Sequence, residues 1–253
     1  MGSLVGKKAL VTGAEQGIGK AVARALIEAG CDVAVHYFMG EDGPRELQAL
    51  ARDKGRAAPS FQADLTDEAA ATRMVADAAG SLGGLDILVN NVGGLVERRF
   101  IETVDLPFWR KVIDINLTTM MIVTREARPH LAKARGAAIV NLASLAGRKG
   151  GHAGSLVYSM TKGAVLTFTR ALSADLGPEG IRVNAVAPGL ILGTRFHNTH
   201  TTKESADETV RGIPLGRAGT VEDISRPILF LASEYDGFIT GATLDINGGV
   251  YCA

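Results

Sequence analysis

Apolar residues fall into two rhythms along this chain. Short, nearly continuous apolar runs occupy residues 8–11, 32–38, 87–91, 137–142, 181–187 and 242–246, with a weaker run at 57–63. They are strand-length and read as buried strands. Between them apolar residues recur at helical spacing, as at Ile18, Val22, Ala25, Leu26 and Ala29, and Gly30 stops that helix as a C-terminal glycine does. Further helices are expected over residues 44–54, from Thr66-Asp-Glu onward, over 107 to about 133, over 158–176 and over 221–233. Strands alternating with helices imply right-handed crossovers. The expected fold is therefore α/β, a Rossmann-type doubly wound parallel sheet of seven strands with helices on both faces. No linker, charge run or fixed-period repeat divides residues 1–253, so one domain is expected. One polar segment, at about residues 189–213, breaks the rhythm. It follows a strand's carboxyl end, where open parallel sheets bind ligands, and is a candidate substrate lid.

Composition narrows the choice. Hydrophobic residues make up 46% and charged residues 21%, which suits a large core and excludes disorder. Lys plus Arg equals Asp plus Glu at 27 each, so no field favours nucleic acid or an anionic membrane. Cys31 and Cys252 form no metal or disulfide pattern and fit a reducing cytosol. The first residues lack an apolar signal core, and Gly6 stands where a myristoylation signal needs Ser or Thr. A cytoplasmic protein is expected.

The chemistry begins at Val11-Thr-Gly-Ala-Glu-Gln-Gly-Ile-Gly-Lys20. Gly13, Gly17 and Gly19 follow a strand and open a helix, where free N–H groups and the helix dipole can hold a pyrophosphate. A tight turn alone would also explain them. Tyr158 and Lys162, four residues apart, share one helix face, and Ser144 follows the fifth strand. All three belong to the sheet's carboxyl edge. An ammonium near a phenol lowers its pKa, which suits it to proton exchange with an alcohol or alkoxide, and a serine hydroxyl can hold the carbonyl oxygen.

In this order, Thr12-Gly-Ala-Glu-Gln-Gly-Ile-Gly19, Asp64-Leu65, Asn90-Asn-Val-Gly93, Asn116 in Asp-Ile-Asn-Leu, Ser144, Tyr158-Ser-Met-Thr-Lys162 and Pro188-Gly189 resemble the short-chain dehydrogenase/reductase family over essentially the whole chain. The resemblance implies a strand order of 3-2-1-4-5-6-7 and a homotetramer. It implies Tyr158 as acid/base, Lys162 as its pKa-lowering partner and a ribose ligand, Ser144 as substrate anchor, and Asn116 as a helix interruption holding a water toward Lys162. Cofactor contacts are implied at Gly13, Gln16, Gly17, Ile18, Gly19, Tyr37, Phe38, Asp64 and Leu65 (adenine), Asn90 (adenosine ribose), Gly93, Tyr158, Lys162, Pro188, Gly189, Ile191 (carboxamide) and Thr194. Two departures stand out: Val92 replaces the usual alanine, and the Ser144-to-Tyr158 gap is about one residue longer than usual.

Coenzyme choice is left open by the family's markers. Tyr37 takes the place of an NAD-selecting acid, Phe38 that of an NADP-selecting arginine, and Gln16 stands before Gly17 where a base would favour NADP. The absence of a repelling acid leans toward NADP(H), with NAD(H) also open. His36, Lys20 and Arg45 are the candidate phosphate partners. The C-terminal stretch from Ile239 to Tyr251 resembles 3-oxoacyl-carrier-protein reductases. Lys133 and Arg135 would suit an acidic carrier protein, but Asp175-Leu-Gly-Pro-Glu-Gly180 opposes it. The segment's Arg195, His197, Asn198, Thr199, His200 and Thr201 suit a polar keto-sugar or keto-acid instead. No metal is expected, since His197 and His200 lack a partner cluster. The expectation is thus an NAD(P)(H)-dependent carbonyl reductase or alcohol dehydrogenase acting on a small molecule. A carrier-protein reductase and a non-catalytic dinucleotide sensor are the alternatives.

Overall fold

The computed structural model describes residues 4–233 and 237–252; the first three residues of the amino-terminal reading lie outside them. Seven parallel strands run β1 (Lys8–Val11), β2 (Asp32–Tyr37), β3 (Ser60–Gln62), β4 (Ile87–Asn90), β5 (Ala138–Leu142), β6 (Arg182–Pro188) and β7 (Thr243–Ile246). Their spatial order is 3-2-1-4-5-6-7, as expected.

Pleating sends alternate side chains to opposite faces. Ala9, Val11, Val33, Val35, Ile87, Val89, Val140 and Val186 pack against α1 (Gly17–Glu28), α2 (Asp42–Asp53) and α10 (Val221–Ala232). Their neighbours Leu10, Ala34, Leu88, Ile139 and Val183 pack against α3 (Glu68–Leu82) and α5 (Thr119–Leu131). Both faces are covered, which is why the strands are apolar throughout. Helix starts follow the sequence signals. Asp67 caps α3 by accepting from the Ala70 N–H, and Thr220 and Asp223 form a reciprocal capping box on α10.

Three expectations shift. The third strand shrinks to three residues, because Pro59 has no N–H and the two-sided ladder starts after it. The long helix expected over 107–133 divides into α4 (Leu106–Ile113), a π-helical turn at Asp114–Thr118, and α5. The polar segment at 189–213, in which the apolar rhythm marks no helix, carries α8 (Arg195–His200) and α9 (Lys203–Arg211). Thr194 and Thr202 cap those helices by accepting from the His197 and Ser205 N–H groups. A short α6 (Ala146–Lys149) precedes the long α7 (Leu156–Leu176). Among the described residues no helix is long and apolar enough to cross a membrane.

Candidate active site

The glycine turn is built by close approach. Gly13 and Gly17 take left-handed φ angles of 63° and 55°, which favour glycine. A Cβ on Gly19 would lie 2.1 Å from the Gly13 carbonyl oxygen, so no side chain fits there. The loop after β4 is fastened to the same turn. Asn91 Nδ2 donates to Thr12 O and Gly13 O, each at 2.9 Å, and the Asn91 N–H donates to Thr12 Oγ1 at 2.9 Å. The turn is thus a rigid backbone cradle at the head of α1, shaped to take phosphates. Gln16 is exposed, and its side chain makes no capping bond.

His36 supports the cradle from below, a role the sequence reading did not give it. Its Nδ1 accepts from the Gly13 N–H at 3.0 Å, so the neutral ring's Nε2–H donates to Ala63 O at 3.1 Å. Only 1% of the residue is exposed, and burial pushes its pKa down from 6.5 to about 4. The unfolded chain therefore binds the extra proton first. Stability from this group is complete above pH 6.5 and is lost as pH falls toward 4. The shift corresponds to about 3 kcal/mol. Chemical denaturation at pH 7 and pH 4.5 should show that loss in the wild type, and His36→Gln should flatten it.

The second wall holds the reacting groups. Gly147 of α6 packs on Lys162 and Gly163 of α7 so closely that a Cβ on Gly147 would lie 2.5 Å from the Lys162 carbonyl carbon. That approach sets Ser144, just ahead of α6, against Tyr158 near the start of α7. The side chains of Ser144 and Tyr158 are hydrogen-bonded, and Ser144 Oγ also accepts from the Ala146 N–H at 3.1 Å. Lys162 is 2% exposed, and its Nζ donates to Leu142 O at 2.7 Å. Nζ lies 5.9 Å from the centre of the Tyr158 ring. A Cβ on Gly93 would fall 2.8 Å from this Nζ and 2.7 Å from Asn116 Oδ1. The Tyr158, Lys162, Ser144, Gly93 and Asn116 positions thus converge.

Two details differ from expectation. Burial pushes the Tyr158 phenol up to about 12, with the Ser144 hydrogen bond working against it, and burial draws Lys162 down to about 8. In the fold itself, desolvation dominates both groups. Asn116, inside the π-helical turn, is fully buried and already engaged. Its Nδ2 donates to Gly94 O and Val112 O, both at 2.9 Å, and its Oδ1 accepts from the Gly94 N–H at 3.0 Å. Its side chain is a strut for the Gly94 backbone.

The remaining expected positions divide similarly. Asn90 points into the sheet, its Nδ2 donating to Thr124 Oγ1 at 3.0 Å and Asn141 Oδ1 at 2.9 Å. Its side-chain amide hydrogens therefore serve the core. Leu65 is buried and lines a small void with Thr12, Asn90 and Val92, while Asp64 is exposed and accepts from the Thr66 N–H and hydroxyl. Tyr37 is 9% exposed and Phe38 47%, so only Phe38 presents a face at the end of β2. Ile18 is half-buried against the core. Gly189, after Pro188, allows contact with Asn247, where a Cβ would lie 2.9 Å from the Asn247 Cβ. Beyond it, Leu190 O and the Leu192 N–H pair with Gly219, so Ile191's own N–H and C=O face the other way. Thr194 Oγ1 donates to Ile191 O at 3.2 Å, and its Cγ2 lies 3.7 Å from where a Gly17 Cβ would stand. Segment 189–213 therefore begins directly over the glycine turn.

The far edge of the sheet contrasts with this. Lys133 and Arg135 precede β5, and residues 175–180 precede β6, so both lie at the strands' amino ends. A recess of about 540 Å³ there is lined by Arg135, Gly136, Gly177, Arg182 and Phe238. The five residues of β5 put roughly 16 Å between that edge and Ser144.

A glycine cradle and a phenol–ammonium–hydroxyl group share one edge of a doubly wound sheet, which defines a nicotinamide-dependent oxidoreductase. The family model described as Enoyl-(Acyl carrier protein) reductase matches residues 13–251. The chain is 34% identical over 248 residues to the 3-oxoacyl-[acyl-carrier-protein] reductase FabG of Aquifex aeolicus (strain VF5), covering 98% of each. It superposes on an NADH-dependent reductase A1-R' responsible for alginate metabolism with a TM-score of 0.90 at 32% identity, covering 99% of each chain. It superposes on a blue fluorescent protein from a metagenomic library, in complex with NADPH, with a TM-score of 0.92 at 34% identity, covering 99% of this chain and 100% of that one. The chain belongs to the short-chain dehydrogenase/reductase family and resembles its 3-oxoacyl-carrier-protein reductases. It is an NAD(P)-dependent oxidoreductase acting on carbonyl and alcohol groups.

Proposed function

We propose that the protein interconverts a carbonyl and a secondary alcohol on a small polar substrate bearing a carboxylate, a keto-sugar acid or keto-acid. One observation carries the substrate class. Arg98, His152 and His200, from three separate segments, lie close enough for their charges to act on His197. Arg98 Nη1 donates to Ala153 O at 3.0 Å and Nη2 to His200 O at 3.2 Å, tying the segment ahead of Tyr158 to the end of α8. Burial and these neighbours push His197 down to about 4. A carboxylate at this mouth would meet a guanidinium and imidazoles made more basic by its presence. The relative linked to the metabolism of alginate, a polymer of sugar acids, supports the same reading.

The chain's residues divide the work. A bound nicotinamide dinucleotide supplies or takes the hydride. Tyr158 passes the proton at the substrate oxygen, Ser144 holds that oxygen, and Lys162 holds the nicotinamide ribose and stabilises the phenolate once formed. Gly13, Gly17 and Gly19 take the pyrophosphate. Ile191 and Thr194 meet the nicotinamide end, and Asn116 braces Gly94. We place these groups in one catalytic domain with segment 189–213 as its lid, in a cytoplasmic homotetramer. The candidate phosphate partners that would favour NADP(H) are engaged: Lys20 with Glu46 at 2.5 Å, Arg45 with Glu41 at 2.6 Å, and the neutral His36 within the turn.

Similarity to FabG over nearly the whole chain favours a second reading, reduction of a 3-oxoacyl thioester. Turnover against matched substrates separates the two. A carboxylated keto-sugar should exceed its neutral counterpart in kcat/KM by about tenfold or more. Arg98→Gln should raise KM for the acid alone. Preference for apolar ketones or 3-oxoacyl thioesters would refute the keto-acid proposal.

A further inference from the structure

The nucleotide turn contains a carboxylate, Glu15, between Gly13 and Gly17. Its Oε2 is buried and has no hydrogen-bond partner. The residue is pinned from α2, because Gly43 sits so tightly on it that a Cβ there would collide with the Glu15 carbonyl oxygen. Glu15 therefore lies where the turn meets the head of α2, just past the end of β2. In dinucleotide folds the adenosine ribose is received beside the end of β2, where a carboxylate selects the free diol. The end of β2 itself offers Tyr37 and Phe38, neither of them acidic.

We infer that Glu15 is the coenzyme-selecting residue of this protein, its carboxylate accepting from the adenosine ribose hydroxyls of NAD(H) and repelling the 2′-phosphate of NADP(H). The inference rests on the dinucleotide site proposed above and reverses the lean toward NADP(H) drawn from β2 alone. Two further features agree with it. Glu46, Glu41 and Asp42 line the start of α2, and Lys20 and Arg45 are each held by one of these acids. Burial raises the Glu15 pKa, while a hydrogen bond from its own backbone N–H and the charge of Arg195 at the head of α8 favour the ionised form. A free ribose diol would give the orphaned oxygen a donor, whereas a phosphate would bring like charge against it at short range.

Direct binding without substrate tests this. Titration of the wild type by nucleotide fluorescence should give NADH a Kd about tenfold or more below that of NADPH. Glu15→Gln keeps the shape and removes the charge. It should shrink the ratio about tenfold, chiefly by tightening NADPH, with the melting temperature confirming a folded variant. Equal or tighter NADPH binding by the wild type overturns the inference, as would recruitment of the phosphate by Arg195. So does an unchanged ratio in Glu15→Gln. If neither nucleotide binds the wild type, the dinucleotide site itself is refuted and the inference falls with it.

Discussion

Replacing Tyr158 with Phe should lower kcat by about a thousandfold or more while coenzyme affinity stays within roughly threefold. The ring remains in place over the start of α7, so packing against neighbouring residues is retained. Only the hydroxyl is lost, with its hydrogen bond to Ser144. That hydroxyl is the group proposed to exchange a proton with the substrate oxygen. Lys162 is no substitute, because its Nζ is directed to Leu142 O at 2.7 Å. Single-turnover kinetics and nucleotide titration on the same sample check both halves. Unchanged turnover would remove Tyr158 from the chemistry, and lost coenzyme binding would make its role structural.

Gly19→Ala should abolish measurable coenzyme binding and destabilise the fold by about 3 kcal/mol or more. The methyl would stand 2.1 Å from the Gly13 carbonyl oxygen and 2.5 Å from Asn91 Nδ2, both part of the cradle. Relief requires moving β1's exit or the start of α1, and either motion misaligns the N–H groups that receive the pyrophosphate. Gly80, within α3, is the control, because a Cβ there meets nothing within 4 Å. Gly80→Ala should bind coenzyme normally and melt no lower than wild type. Denaturant melts and nucleotide titrations on both variants measure the contrast. Equal behaviour would mean that the cradle does not depend on close approach at Gly19.

The fold was legible because its signals were local. Fully apolar runs marked strands covered on both faces, and Asp67 and Gly30 punctuated helices within a few residues of their observed ends. The interruption at Asn116 was legible only through family resemblance. The π-helical turn is sustained by Asn116 donating to Val112 O and Thr119 donating to Ile115 O, which no periodicity reveals. The helices within 189–213 were missed because their polar composition outweighed two threonine caps. By sequence His36 is a candidate phosphate partner, since one residue's inward or outward direction on β2 depends on register. A polar residue inside an otherwise apolar strand was the available sign that it turns inward.

Residue order alone was enough for the strand–helix alternation, the sheet edge bearing Ser144, Tyr158 and Lys162, and the place of the glycine turn. These follow from periodicity and short-range stereochemistry, which act between residues near in sequence. The side-chain allegiances came from folding: Asn90 to the core, Asn116 to Gly94, Arg98 to the end of α8, and Glu15 to the edge of α2. Each joins residues at least 20 positions apart, and burial at such a junction decides whether a polar group is satisfied or left with an open valence.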